Sequence, residues 1–218
     1  MEDDVSPMKA EVLSELVGSE EREAAARSRG YLIFAEALEY PDELLVEEIR
    51  KGQLSDALKE ILGELDAKLV DEIDWNALRD PGQGEDLAVE YTRLFDVGTS
   101  GPPCPLYGGL YGGARMKKME EAVRFYNHFG LKVADEESRE LPDHLTTELE
   151  FLHYLSFREA EALHEGEDPG PYRRAQSDFV ERHPGRWIPK LNARLEQQAP
   201  MPFFRELFRA LQHFLERV

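Results

Sequence analysis

Three polar residues near the middle of the chain could do chemistry together: Asp143, His144 and Glu148. A carboxylate beside a histidine can orient the imidazole and tune its pKa, which is the arrangement of a general acid–base pair. Glu148 follows His144 by one helical turn, so we expect the two side chains within mutual reach. Pro142 suits a first helical turn, where its missing N–H would have no partner, and the helix dipole favours Asp143 in the same turn. The sequence therefore predicts a polar helix entrance.

The spacing Glu-x-x-His suggests a metal site instead, because it occurs at Glu150/His153 and again at Glu161/His164. Di-iron proteins use such pairs from separate helices of a bundle. Both pairs here lie on one predicted helix, about 16 Å apart at a rise of ~1.5 Å per residue, which is too far for a shared pair of metal ions. We interpret them as solvated charges and predict no metal ion and no other cofactor.

An enzyme that uses Asp143 and His144 on a small substrate, or to hydrolyse a nucleotide, is the alternative function. Without further context, the two residues would be a helix cap and a satisfied surface histidine. No Ser or Cys lies in a nucleophile elbow, and the pairs Gly108-Gly109 and Gly112-Gly113 lack the strand–helix context of a dinucleotide-binding loop. We therefore expect no enzymatic activity.

The elements that would position these residues are helices, because apolar residues recur at helical spacing along the chain. One stripe runs through Leu145, Leu149, Leu152 and Leu155. Helices are predicted over 20–39, 41–51, 54–66, 85–96, 114–129, 142–165, 172–183, 187–197 and 202–217. No alternating strand pattern is present. The fold class is therefore all-α, a single-domain bundle of about 9–11 helices over residues 1–218, with 1–18 as a loosely attached segment.

Residues 98–113 interrupt the helical pattern, since six glycines and three prolines in sixteen positions cannot form a regular helix. Tyr107 and Tyr111 in this ordered loop suit recognition, because tyrosine is large, stiff and amphipathic. The preceding helix carries three apolar side chains on adjoining positions, Tyr91, Leu94 and Phe95. They are core residues by default. The functional interpretation is that part of this face lines a groove for an apolar peptide beside the loop.

Composition limits the partners and the compartment. The chain has 26 Lys plus Arg against 45 Asp plus Glu, which disfavours nucleic acid and anionic membranes. Residues 1–75 hold 21 acidic and 8 basic side chains, which would attract a basic peptide or only keep the protein soluble. The single cysteine, Cys104, cannot form an intramolecular disulfide, and neither a signal peptide nor a stretch of ~20 apolar residues is present. A cytoplasmic protein without membrane insertion is predicted.

Three ordered blocks carry a resemblance to a known family. The first is Glu90–Phe95 with the loop Pro102–Tyr111, the second is Phe125–Leu131 with the Pro-Asp-His helix, and the third is His183–Trp187 with a Phe- and Leu-rich helix behind it. In this order and spacing, over roughly residues 85–218, the chain resembles the TorD/DmsD/NarJ family of molybdoenzyme maturation chaperones. One position departs from the family pattern. Gly109 stands where the family usually has Ser, so no role of that hydroxyl is carried over.

The resemblance implies a cytoplasmic chaperone that binds the apo catalytic subunit of a dimethyl sulfoxide reductase family molybdoenzyme, its twin-arginine signal peptide, or both. Binding would last until the molybdenum cofactor is inserted, before export. The Pro-Pro-Cys-Pro-Leu-Tyr form of the loop resembles the branch that serves type II, nitrate-reductase-like enzymes. Acidic rims would take the arginines of the signal peptide. The implied client-binding residues are Tyr91, Leu94, Phe95, Tyr107, Tyr111, Pro142, Asp143, His144 and Glu148.

Overall fold

A computed structural model describes residues 18–99, 101–131 and 141–217. The α-helices are Ser19–Ala37 (α1), Glu43–Lys51 (α2), Gln53–Leu65 (α3), Ala67–Glu72 (α4), Asp86–Tyr91 (α5), Arg115–His128 (α6), Leu145–Glu165 (α7), Gly170–Arg182 (α8), Pro184–Gln197 (α9) and Pro202–Leu215 (α10). Within these ranges the only β-type pairings are isolated bridges. The all-α prediction is confirmed. The expected loosely attached segment 1–18 lies, except for Gly18, outside the described residues.

Local signals in the sequence set several helix ends where they were predicted. Asp42 caps α2 by accepting a hydrogen bond from the N–H of Leu45 at 2.9 Å. Gly52 ends the same helix in the left-handed region, with φ of 79°. Gly130 and Gly166, with φ of 77° and 72°, follow the ends of α6 and α7 in the same way.

The core is one cluster of buried apolar side chains centred on α7 and α10. Helix α7 packs most extensively against α1. Its predicted stripe, Leu145, Leu149, Leu152 and Leu155, is fully buried. The broad apolar face of α10 is buried as well, and each Phe removed from water in this way contributes roughly 1.5–3 kcal/mol. None of the described helices is long and apolar enough to cross a membrane.

Helix α7 begins at Leu145, three residues later than predicted. Pro142 and Asp143 form a turn before it, which the N–H of His144 closes by bonding to the carbonyl of Leu141 at 2.9 Å. His144 is therefore the N-cap residue, and its backbone is extended. The prediction that Pro142 and Asp143 occupy the first helical turn is wrong, because contacts from the Pro/Gly-rich loop determine the path of the chain here.

The helix predicted over 85–96 changes character at Thr92, where Thr92–Asp96 form a π-helical turn. The N–H of Val97 reaches back to the carbonyl of Thr92 at 3.0 Å, which is the longer π spacing. The carbonyl of Leu94 accepts instead from the N–H of Cys104 at 2.9 Å and so ties the loop to the helix. Such π turns inside α-helices are frequent at functional sites.

Two short elements, α4 and a 3₁₀ turn at Ala77–Arg79, are not predicted by the sequence pattern. Neither is long enough for an apolar period to become visible. Helix α9 begins at Pro184, earlier than the predicted 187, because proline is well suited to the first helical position.

Candidate functional site

The predicted helix entrance packs against the Pro/Gly-rich loop. The N–H of Gly108 donates to the backbone carbonyl of Asp143 at 2.8 Å. Tyr107 and His144 form an isolated antiparallel bridge, and their rings meet edge to face with centroids 4.8 Å apart. The structure thus brings together the loop and the Pro-Asp-His turn, as the candidate site requires.

The carboxylate of Asp143 is buried and faces the loop rather than the first turn of α7. Its Oδ2 accepts from the N–H of Gly109 at 3.1 Å and lies 3.6 Å from Nε of Arg115. The guanidinium of Arg115 also lies over the Tyr107 ring, 5.3 Å from its centroid. The other oxygen, Oδ1, has no hydrogen-bond partner in the part of the chain that the structure describes. Asp143 therefore anchors the loop and keeps one acceptor available.

Two glycines permit this close packing. A Cβ atom on Gly109 would lie 2.7 Å from Oδ2 of Asp143 and 3.2 Å from Cα of Arg115. A Cβ atom on Gly108 would lie 2.6 Å from Nε1 of Trp187. Both glycines are needed for the approach of neighbouring atoms. A serine at position 109, as in the family pattern, would displace Arg115 or Asp143 here.

Glu148 lies one turn into α7 and is buried at the base of the cluster. Its Oε2 accepts from Nε1 of Trp187 at 2.9 Å, and its Oε1 is 3.6 Å from Nδ1 of His183. Burial raises the pKa of Glu148, although His183 and Trp187 partly oppose the increase. Nδ1 of His144 lies 2.7 Å from Oγ1 of Thr146. The side chains of His144 and Glu148 were expected to contact each other. Instead, Nδ1 of His144 contacts Thr146, and the carboxylate of Glu148 contacts Trp187 and His183.

His183 and Trp187 are site residues that the sequence reasoning did not include. The buried His183 ring stacks on Phe179 with centroids 4.4 Å apart, and its Nε2 has no partner among the described residues. Trp187 stacks on Tyr111 with centroids 5.2 Å apart. The signal that could have found them is their spacing of four at a helix start, which places both side chains on one side.

The opening of this cluster is cationic. A cavity of about 20 Å³ lies between buried and exposed groups, and this volume is enough for about one water-sized group. Four basic residues line its outer part, Lys118, Arg182, Arg186 and Lys190, while Asp143, Glu148, His183 and Trp187 lie deeper. The expected acidic rim is therefore wrong for this place, because the carboxylates form the base and the cations surround the opening.

The family described as "Nitrate reductase delta subunit" matches residues 51–193. The chain is 35% identical over 174 residues to the chlorate reductase assembly chaperone protein of Ideonella dechloratans, covering 78% of this chain and 77% of that protein. The chain belongs to this chaperone family. It is also 40% identical over 114 residues to the selenate reductase assembly chaperone protein of Thauera selenatis, covering 51% and 58% of the two chains. For the perchlorate reductase assembly chaperone protein of Dechloromonas aromatica the identity is 34% over 134 residues, covering 61% and 59%.

Family membership confirms the resemblance and the prediction of a chaperone that is not an enzyme. The matched range contains the whole cluster around Asp143. The exposed side chains of this chaperone are therefore candidates for binding another polypeptide.

Four of the predicted client-binding residues lie in the core of the chaperone, namely Tyr91, Leu94, Phe95 and Tyr111. Leu94 and Phe95 are buried, and the hydroxyl of Tyr91 donates to the carbonyl of Leu38 at 3.1 Å. The ring of Tyr91 meets the exposed ring of Tyr40 with centroids 5.6 Å apart. The packing of these side chains agrees with their default interpretation as core residues. Their role in client binding stays a prediction.

Three exposed apolar side chains adjoin residues of the polar cluster in the sequence. Leu110, Met116 and Leu141 are 42%, 65% and 42% exposed, and each lies within two residues of a residue of the cluster. The carbonyl of Pro142 accepts from the hydroxyl of Tyr126 at 2.7 Å, which fixes the turn on α6. These three side chains are candidates for an apolar contact with a client.

The two Glu-x-x-His pairs of α7 do not converge. Glu150 is exposed, while Nδ1 of His153 is 2.9 Å from Oγ of Ser28 on α1. Glu161 pairs with Arg158 on the same helix. The two glutamates are therefore surface charges, whereas His153 forms part of the contact between α7 and α1.

A different carboxylate of α7, Glu159, is fully buried and was not predicted. It accepts hydrogen bonds from Arg27 at 2.8 Å, from Arg173 at 2.6 Å and from Gln176 at 2.7 Å. Burial alone would raise the pKa of Glu159, but the two arginines outweigh it and lower the pKa below its usual value. Since both oxygens have partners, Glu159 serves to join α7 to α1 and α8.

Proposed function

We propose that this chaperone binds the apo catalytic subunit of a dimethyl sulfoxide reductase family molybdoenzyme, and its twin-arginine signal peptide, in the cytoplasm before cofactor insertion. Family membership supports the proposal, as do relatives named for the assembly of chlorate and selenate reductases. The client would belong to the type II branch of that family, because the loop Pro-Pro-Cys-Pro-Leu-Tyr resembles the form found in the branch that serves such enzymes.

The surface around Asp143 is the observation that carries the proposal. Leu110, Met116 and Leu141 are exposed and adjoin residues of the polar cluster in the sequence, and exposed apolar groups that cluster are typical of protein-binding sites. The side chains of Asp143 and His144 bond to different groups, an arrangement that does not favour an acid–base pair. The cluster is suited to holding a polypeptide rather than to reacting with one.

The charges favour the mature part of the client over its arginine-containing leader at this opening. Lys118, Arg182, Arg186 and Lys190 surround it, and like charges disfavour a basic leader. The acidic part of the chain, residues 1–75, is the better partner for that leader.

Recovery of the client from the native host tests the proposal. We expect an affinity-tagged chaperone to co-purify with the catalytic subunit of a molybdoenzyme, and mass spectrometry and molybdenum analysis would identify it as cofactor-free. The triple variant Leu110→Ser/Met116→Ser/Leu141→Ser should lower recovery by about tenfold or more, because apolar anchors carry most of the binding energy at interfaces.

The control Leu44→Ser removes one exposed apolar side chain on α2, which lies away in the sequence from the predicted client-binding residues. It should recover the client as the wild type does. Recovery of no molybdenum subunit by the wild type, or equal loss in the triple variant and in Leu44→Ser, would contradict the proposal.

A further inference from the structure

A groove lies between α6 and α8, next to the cluster but distinct from it. Its volume is about 490 Å³, which is within the usual range for binding pockets of roughly 300–1,000 Å³. Phe125, Phe129 and Ala175 contribute apolar lining. Arg124, Arg174 and Arg182 contribute positive charge, and Glu121 and Asp178 contribute negative charge. The groove thus combines an apolar surface with walls that carry three arginines and two carboxylates.

The aromatic lining is only half-buried. The ring of Phe125 packs edge to face on Phe179 with centroids 5.2 Å apart, and Phe129 packs on Tyr172 at 5.9 Å. Both rings are therefore fixed by the core on one side and accessible from the groove on the other. Rigid aromatic surfaces of this kind bind apolar side chains at a low entropic cost.

Two of the three exposed arginines of the groove, Arg124 and Arg174, have no ion-pair or side-chain hydrogen-bond partner within residues 18–99, 101–131 and 141–217. Arg124 projects from α6 and Arg174 from α8. Some exposed arginines of this acidic chain pair with carboxylates, as Arg79 does with Asp56, whereas Arg22 and Arg50 outside the groove have no ion pair among the described residues. Within the groove, Arg182 lies 3.5 Å from Glu121. Arg124 and Arg174 are therefore available to a carboxylate from another molecule.

The charge of this side contrasts with the rest of the chain. Helices α6, α8 and α9 together hold ten Lys or Arg and five Asp or Glu, whereas all other residues hold 16 and 40. Arg182 lines both the groove and the cationic opening of the cluster, so the two surfaces are continuous. A basic surface of this kind attracts acidic partners and repels basic ones.

We propose that the α6/α8 groove binds an acidic, amphipathic polypeptide segment of the client. Its apolar side chains lie on Phe125 and Phe129, and its carboxylates pair with Arg124 and Arg174. That the segment comes from the client rests on the proposed function. Together with the cluster, the groove holds the client at two adjacent points, and the second contact then forms at a high effective concentration.

Two labelled peptides of about 16 residues test the groove, each a helix with Leu on one face. The acidic peptide has Glu on the other face, and its counterpart has Lys. Fluorescence anisotropy should show that the acidic peptide binds the wild-type chain in preference to the basic one. The variant Arg124→Glu/Arg174→Glu should weaken this binding about tenfold or more, because two attractive contacts become repulsive.

The control Arg22→Glu/Arg50→Glu makes the same change in net charge at two exposed arginines outside the groove. It should leave the affinity within about twofold, since neither residue lines the groove and exposed charges are screened at physiological salt. Equal weakening by both variants, absence of binding to the wild type or preference for the basic peptide would overturn the proposal. A change of oligomeric state in Arg124→Glu/Arg174→Glu would also overturn it, because the groove would then be a contact between copies of the chain.

Recovery of the client is measured separately from these affinities. If the wild-type chaperone recovers no client, the proposed function is contradicted. The comparison of the two peptides tests separately whether the groove binds acidic segments.

Discussion

Glu148 and Glu159 are two buried carboxylates of the same helix with opposite surroundings. At Glu159, burial would raise the pKa, but Arg27 and Arg173 outweigh it and lower the pKa. At Glu148, burial raises the pKa, and the weaker partners Trp187 and His183 do not compensate it fully. The partners of Glu159 thus outweigh the effect of its burial on the pKa, whereas the partners of Glu148 do not.

The difference shows that burial of a charge does not by itself indicate function. Around Glu159 every carboxylate oxygen has a partner, which is the pattern of a structural contact. Close to Glu148, Oδ1 of Asp143 and Nε2 of His183 have none among the described residues. Near Glu159, Nε of Arg158 also has none, and Glu159 lines a cavity of about 400 Å³. The free acceptor of Asp143 is available to a ligand and supports the proposal that the Glu148 end of α7 holds the binding site.

The largest effect is expected from Glu159→Ala. This change leaves Arg27 without its buried partner, and loss of one member of a buried ion pair costs about 3–5 kcal/mol. Because Arg173 is partly exposed, we expect a value near the lower limit in the free energy of unfolding, measured with urea. Glu161→Ala on the same helix should change it by less than about 0.5 kcal/mol. A similar small loss for Glu159→Ala would remove the distinction between the two ends.

A smaller effect is expected at the other end of the helix from Gly108→Ala. The new Cβ would lie 2.6 Å from Nε1 of Trp187, so the indole must move away from Glu148. Overpacking of this kind costs roughly 1–3 kcal/mol. Tryptophan emission, recorded in a Trp75→Phe background, should shift. Gly63→Ala is the control, because its Cβ would make only an ordinary contact of 3.5 Å, and unchanged emission in Gly108→Ala would contradict the packing described.

The smallest effect is a difference in pH dependence between Glu148→Gln and Glu159→Gln. A raised pKa means that folded Glu148 binds its proton more tightly than in the unfolded chain, so its contribution to stability falls as pH rises through the unfolded pKa of ~4.3. The lowered pKa of Glu159 gives a contribution that is present above that value and is lost as pH falls through the folded pKa.

Urea unfolding between about pH 2.5 and pH 7 measures this difference, because the change at Glu159 lies below the unfolded pKa and the change at Glu148 lies above it. The stability deficit of Glu148→Gln relative to the wild type should decrease as pH rises, whereas that of Glu159→Gln should increase. Parallel curves for the two variants would show that their surroundings are electrostatically alike.

Most helices and several of their caps could be predicted from the sequence, because they depend on apolar period and turn chemistry. The direction of the Asp143 carboxylate could not, since Gly109, far away in the sequence, determines it. The partners of Glu159 likewise come from α1 and α8. The basic surface is not visible in the net charge of −19, because that value sums over the whole chain. Counting the charges of each helix separately would have found it.

The π-helical turn at Thr92–Asp96 makes the position of the loop depend on the length of a neighbouring helix. Deleting one residue there would restore the regular α-helix and rotate the following side chains by about 100° around its axis. The carbonyl of Leu94 would then be used within the helix and would no longer hold Cys104. A deletion that touches no loop residue would thus release the recognition loop, so the spacing of this segment constrains how the sequence can change in evolution.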